Sequence, residues 1–93
     1  MKGHDPVVKR LILDVLKPLE PPINEFAVKL ASLHGVDHVN VSLAEIDQST
    51  ESVKVSLEGS EISIEAVKRR IEELGAVVHS IDEVLVGKKP QVK

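Results

Sequence analysis

The chain has 93 residues, of which 42% are hydrophobic and 29% charged, a composition typical of one small folded domain. Its formal net charge of −3 argues against a general affinity for nucleic acid or an anionic membrane. The sequence has no cysteine, which excludes disulfides, thiolate metal sites and cysteine nucleophiles. Phe26 is its one aromatic residue, so the core must consist of Val, Leu and Ile. A small aliphatic core of this kind is often completed by oligomerisation.

The first regular segment is an apolar strand that contains one acidic residue. From Val7 to Lys17 hydrophobic residues fall on both sides of the alternation, with Asp14 among them. Apolar residues on both faces indicate a central strand. Pro18 is predicted to end this strand, and Pro21 and Pro22 favour the start of a helix.

A helix and a β-hairpin follow. Apolar residues at helical spacing predict a helix from about residue 22 to 34, and period-two alternation predicts a strand from Val36 to Ile46. Residues 47–50 form a polar turn into a third strand around residues 52–58. Gly59 and Ser60 are expected to break the chain there.

A second helix and a fourth strand complete the pattern. Ser63 is predicted to cap the N-terminus of the helix, and Gly75 to end it. The fourth strand is predicted from Val77 to Val86. Its alternation breaks near Asp82 and Glu83, which suggests a bulge.

The order strand, helix, strand, strand, helix, strand predicts an α+β, ferredoxin-like βαββαβ sandwich. Its four-stranded antiparallel sheet carries two helices on one face, with the first and third strands central. The fold is predicted to occupy residues 1–93 as a single domain, with an ordered core of about 7–87 and a loose basic tail at 88–93. No segment has the length and apolarity of a membrane span or a secretion signal, so a cytoplasmic protein is expected.

The sheet face that points away from the helices is predicted to be an interface. It carries Arg10, Ile12, Asp14 and Leu16 from the first strand and Lys54 from the third. One interpretation is a solvated face with scattered apolar residues. The favoured interpretation is a face covered by another subunit, because a small domain gains stability by burying it. The predicted interface residues are Arg10, Ile12, Leu16 and Lys54.

Asp14 needs a partner or a ligand in this apolar surrounding. The favoured interpretation is an ion pair at a subunit interface, with Arg10 four residues earlier and Lys54 on the neighbouring strand. The alternative is a carboxylate ligand for a hard cation such as Ca²⁺ or Mg²⁺, since acids on adjacent strands supply the oxygens that these ions prefer.

The candidate metal ligands are acidic residues of the strands and of the hairpin turn. They are Asp14, Asp47, Glu51, Asp82 and Glu83. For the two hairpin acids, a solvated turn is the simpler explanation. His79 can coordinate a metal or titrate near neutral pH, but a lone histidine on a strand is more often packed or capping.

The loop after the first strand argues against an enzyme. Residues 17–22 contain no arginine, carry an acid and include three prolines without an N–H, which does not suit acyl-phosphate hydrolysis. The central strands have no aromatic residue on which an RNA base would stack. A phosphate-binding Gly-rich loop and a nucleophile elbow are also absent from the sequence. We therefore expect no catalytic residues and no organic cofactor.

Three blocks of the sequence resemble the archaeal proteins catalogued as domain of unknown function 211. The blocks are Leu11–Pro18 with Glu20-Pro21, then Glu45–Glu51, then His79–Val84 with Gly87-Lys88. They are in the right order and cover about residues 7–88. The resemblance implies a ferredoxin-like fold and closed homo-oligomeric rings, with calcium as a candidate bound ion. It does not supply an activity.

The leading hypothesis from the sequence is a non-enzymatic homo-oligomer that binds a divalent cation at its subunit contacts. The alternative is a regulatory sensor that binds a metabolite such as an amino acid between paired domains. Such a sensor usually has a Gly-rich first loop, which the proline-rich loop of this chain does not provide. A hydrolase is the third and weakest hypothesis.

Overall fold

A computed structural model describes residues 5–89 as one four-stranded antiparallel sheet with two helices. The elements are β1 (Pro6–Pro18), α1 (Ile23–Ala31), β2 (Val36–Ile46), β3 (Thr50–Ile62), α2 (Ile64–Glu73) and β4 (Val77–Lys88). The strand order is β2-β3-β1-β4, and each neighbouring pair is antiparallel. The predicted ferredoxin-like fold is confirmed, as is the central position of the first and third strands.

The core lies between the two central strands and the helices. On β1 and β3 the inward residues pair directly across the sheet and are at most 1% exposed: Leu11 with Leu57, Leu13 with Val55, and Val15 with Val53. They are covered by Phe26 and Leu30 of α1 and by Val67 and Ile71 of α2. Full burial of one such aliphatic side chain contributes about 1.5–3 kcal/mol, so this layer supplies most of the favourable free energy of folding.

Both helices end at a glycine-containing turn. The hydroxyl oxygen of Ser63 accepts a hydrogen bond from the Ala66 N–H at 3.1 Å, which confirms the predicted cap of α2. Helix α1 ends at Ala31, three residues earlier than predicted, because the next turn tightens and the Leu33 N–H bonds to the carbonyl of Leu30.

Within residues 5–89, neither helix has the length and apolarity needed to cross a membrane.

The predicted chain break at Gly59 and Ser60 is wrong, because β3 continues through them to Ile62. A Cβ atom on Gly59 would lie 1.9 Å from the carbonyl oxygen of Gly35, and one on Gly35 would lie 1.9 Å from the carbonyl oxygen of Glu61. Gly35 also has φ +87°, which favours glycine. These two glycines therefore let the start of β2 approach the end of β3, and Gly59 does so without interrupting its strand.

Strand β4 is bulged and longer than predicted. Its register with β1 shifts at Asp82, which confirms the predicted bulge, and shifts again at His79. The strand continues to Lys88, and the ammonium of Lys89 lies 3.1 Å from a carboxylate oxygen of Glu61. The loose tail predicted from residue 88 therefore does not begin there, and its residues 90–93 lie outside the described residues.

Candidate interaction surfaces and a buried lysine

The sheet face opposite the helices carries the predicted interface residues. On β1 and β3 the paired rows of this open face are Arg10 with Glu58, Ile12 with Ser56, Asp14 with Lys54, and Leu16 with Ser52. They alternate with the buried residues of the same strands, so they point away from the helices. The predicted face is confirmed, and Leu16 is 44% exposed on it. That a second subunit covers this face stays a prediction.

Arg10 is held by two carboxylates of its own chain. Its Nη1 donates to Glu83 Oε2 at 2.9 Å, and its Nε lies 3.3 Å from Glu58 Oε2. The Arg10–Asp14 pair considered from the sequence does not form, because residues four apart on a strand are about 13 Å apart. Partly exposed pairs of this kind contribute at most about 1 kcal/mol each. The guanidinium is therefore neutralised by carboxylates of its own chain, and its side chain is still partly exposed on the open face.

Asp14 lies beside a shallow groove. Its direct neighbours across the sheet are Lys54 on β3 and Ser80 on β4. Within residues 5–89 its carboxylate makes no ion pair and no side-chain hydrogen bond, so the predicted pairing with Lys54 is not formed inside one chain. The groove has a volume of about 240 Å³ and is lined by Asp14, Val15, Leu16, Ser52 and His79. An ion pair or a ligand supplied by a second copy stays a prediction for Asp14.

The five predicted metal ligands do not converge. Asp14 and Glu83 lie on the open face, Asp82 on the β4 bulge and Asp47 after the end of β2, whereas Glu51 points to the helix side. All except Asp14 accept a hydrogen bond from a group of the same chain. In the part of the chain that the structure describes, no group of three or more His, Asp or Glu side chains is placed to hold a metal ion. A cation site shared between subunits stays a prediction.

Lys17 is a buried charged residue whose burial was not predicted from the sequence. Its side chain is 0% exposed. Its Nζ donates to Glu51 Oε1 at 2.8 Å, to the carbonyl of Pro18 at 2.8 Å and to the carbonyl of Leu19 at 3.3 Å. The ammonium also lies 5.9 Å from the centre of the Phe26 ring. All three ammonium protons are therefore used, and they fix the start of the β1–α1 loop against β3 and α1.

The alternation of the strands contained the signal for this pair. Lys17 follows Val15 by two residues, and Glu51 precedes Val53 by two, so both side chains belong to the inward faces. The two residues are also direct partners in the β1–β3 register. Glu51 was predicted as a metal ligand, but its carboxylate faces the helix layer and is occupied by the lysine. Its position is explained by this ion pair.

Strand β4 lies at an edge of the sheet, but it is rich in aliphatic residues, as central strands usually are. Of the ten large hydrophobic side chains that are exposed among residues 5–89, five lie on β4. These five, which we name the β4 apolar edge, are Val77, Ile81, Val84, Leu85 and Val86.

The β4 apolar edge lies on both faces of the sheet. Ile81 and Val84 are 44% exposed although their β1 partners, Leu13 and Leu11, are fully buried on the helix side. Leu85 lies opposite Arg10 and so belongs to the open face. Edge strands are usually protected by charges, proline or a covering segment, and an exposed apolar edge is a site at which another strand pairs. This edge is the strongest candidate contact surface of the described residues.

Comparison with known proteins adds a family but no activity. A model of the family catalogued as domain of unknown function 211, described as "Uncharacterized ArCR", matches residues 9–91. The chain is 49% identical over 82 residues to the "Uncharacterized protein MJ0319" of Methanocaldococcus jannaschii, which covers 88% of this chain and 84% of that protein. Neither description names a ligand, a reaction or a partner.

Proposed function

Since this chain belongs to the archaeal family catalogued as domain of unknown function 211, we propose a function from its own surfaces: it is a non-enzymatic subunit of a homo-oligomer, arranged as a closed ring. The β4 apolar edge carries this proposal. Its side chains are each 44–60% exposed. Burying the exposed parts of all five would contribute roughly 4–7 kcal/mol at the usual value per aliphatic side chain.

The β4 apolar edge needs a second contribution to make a stable contact. Association itself costs about 4–15 kcal/mol in lost freedom of motion, so the five half-exposed side chains offset only the lower part of that range. The open face supplies further apolar area through Ile12 and Leu16, next to Val77 and Leu85. The arginine of this face, Arg10, is already paired within the chain, which lowers the cost of covering it.

The β1–α1 loop supports a non-enzymatic role. The loop directly follows Pro18, the last residue of β1, and contains Pro21 and Pro22, none of which has a backbone N–H to donate. The ammonium of Lys17 is buried under the loop and bonded to three acceptors, so it has no proton to offer a substrate. A polar ligand entering this loop would meet few donors.

A divalent cation at the subunit contacts is the second part of the proposal. Asp14 presents a carboxylate on the open face that has no partner within residues 5–89, next to the groove that His79 also lines. A hard cation such as Ca²⁺ takes about six to eight oxygen ligands, and residues 5–89 bring one unpaired carboxylate to this place. The remaining ligands would come from a second copy or from water.

Lysine substitutions on β4 test the assembly. Ile81→Lys and Val84→Lys place a charge on the β4 apolar edge, and Val28→Lys is the matched control because Val28 is a 66% exposed aliphatic residue of α1. In sedimentation velocity the two β4 variants should shift toward the 10.2 kDa monomer, while the control keeps the mass of the unmodified protein. Circular dichroism confirms that each variant is folded. Assembly that survives both β4 substitutions contradicts the proposed role of this edge.

A further inference from the structure

We infer that β4 of one copy pairs edge to edge with β2 of the next, so that neighbouring sheets join into one continuous antiparallel sheet. This inference rests on the proposed homo-oligomer and identifies the contact through which it is built. β2 and β4 are the two edge strands, and each has a row of backbone N–H and C=O groups without a partner strand in the described chain. They are also nearly equal in length, at 11 and 12 residues.

Strand direction permits this pairing without turning a subunit over. Since every neighbouring pair in the order β2-β3-β1-β4 is antiparallel, β2 and β4 run in opposite directions. A copy placed beside the first by rotation about an axis along the strands therefore brings its β4 antiparallel to β2. Repeating the same rotation gives a head-to-tail contact, which generates a closed ring when the rotation divides a full turn.

The side chains on the helix side of the two edges match. Rows of paired residues cross the whole sheet, and each of three inward rows has an aliphatic residue at both ends. These end pairs are Val39 with Val84, Val41 with Ile81, and Leu43 with Val78. Joining two sheets would place aliphatic side chains of β4 opposite aliphatic side chains of β2 on the helix side. Because side chains alternate with period two, a register shift of two residues would keep them on the same face. Leu43, which is 45% exposed in one chain, would thereby be covered.

Charge favours this contact over a two-fold contact of like strands. An antiparallel β4–β4 pair centred on the strand would set Asp82 and Glu83 of one copy against the same two acids of the other, which is unfavourable. A β2–β2 pair would likewise oppose Asp37 with Glu45. In the β2–β4 pairing without a register shift, Glu83 of one copy would instead face the neutral Asn40 of the next, because these two residues end the same row across the sheet.

The absence of cysteine makes the contact directly testable by cross-linking. Ser42→Cys marks the open side of β2, and Val77→Cys, Ser80→Cys and Glu83→Cys mark three successive open-side positions of β4, with Ser80 in the same row as Ser42. Co-expression of the β2 variant with each β4 variant and mild oxidation should give a covalent dimer for at least one pair, since directly opposed strand residues lie within disulfide distance. Lys68→Cys on the exposed side of α2, co-expressed with Ser42→Cys, is the control that should remain uncross-linked.

Each outcome decides the inference. Cross-links between β2 and β4 variants, with none in any single variant expressed alone, support head-to-tail pairing. Cross-links of a β4 variant with itself, and none with the β2 variant, would show a two-fold contact and overturn the inference while the homo-oligomer stands. An assembled protein in which no β2–β4 pair cross-links overturns it equally. A protein that sediments as a monomer refutes the homo-oligomer itself and the inference with it.

Discussion

Replacing Lys17 tests how this fold holds a charged group in its core. Lys17→Met keeps the length of the side chain and removes the ammonium. The Glu51 carboxylate, which is 15% exposed, would lose its ion-pair partner, and the carbonyls of Pro18 and Leu19 would lose a donor. Leaving one charge of a buried pair without its partner costs about 3–5 kcal/mol. That is a large share of the roughly 5–15 kcal/mol by which small domains are stable.

A double variant separates two quantities: the cost of leaving Glu51 without its partner, and the net contribution of the Lys17–Glu51 ion pair to stability. Lys17→Met with Glu51→Leu removes both charges, and replacing a buried pair by apolar residues of similar volume is often neutral or stabilising by about 1–4 kcal/mol. We therefore expect the double variant to recover most of the stability that the single variant loses. Lys68→Met is the matched control, because Lys68 is exposed on α2, away from the open face, and a change there should stay within about 0.5 kcal/mol.

Urea unfolding followed by circular dichroism measures these differences. All variants must be compared at one protein concentration, since assembly links apparent stability to concentration. For a domain of this size a loss of about 3 kcal/mol corresponds to a fall in Tm of roughly 12–24 °C, which thermal scans would also resolve. If Lys17→Met unfolds within about 1 kcal/mol of the unmodified protein, or if the double variant is no more stable than the single one, the Lys17–Glu51 pair does not hold the loop and the core together.

Three further substitutions test other parts of the fold and the open face. Gly59→Ala places a Cβ atom 1.9 Å from the Gly35 carbonyl oxygen, so we expect a loss of about 1–3 kcal/mol in the free energy of unfolding, measured by thermal unfolding. The control Ser60→Ala, at the next residue, should have little effect. Equal stability of the two variants would refute the close approach as the reason for glycine. Ser63→Ala removes the cap of α2 and should cost about 0.5–2 kcal/mol in urea unfolding, with no change counting against that role. Asp14→Asn should abolish any rise in Tm that Ca²⁺ produces in the unmodified protein, and an unchanged rise would exclude Asp14 as a ligand.

The fold could be predicted from the sequence because its strands obey simple alternation. The apolar residues on both sides of residues 7–17 indicated a central strand, and β1 is paired on both edges and covered by helices on one face. The bounds of β2 were predicted at Val36 and Ile46, where the structure has them. Gly59 misled the prediction because a glycine that permits close approach and one that breaks a strand look the same in a single sequence.

The contacts between side chains were less predictable, since they depend on register. The sequence suggests Arg10 as a partner of Asp14 on the same strand, but the carboxylates that Arg10 contacts come from the neighbouring strands, whose residues lie closer. Lys17 and Glu51 look like a strand end and a turn acid in the sequence, although their spacing from Val15 and Val53 places both side chains on the inward faces. For β4, the apolar composition alone does not identify what would cover its five exposed side chains.

The central claim is that this chain functions as an assembly of identical subunits. Sedimentation equilibrium of the unmodified full chain, over a wide range of protein concentration, tests it most directly. A single species whose mass is a whole-number multiple of 10.2 kDa, greater than one and constant at the higher concentrations, is the predicted result. A mass of 10.2 kDa at every concentration would contradict the claim.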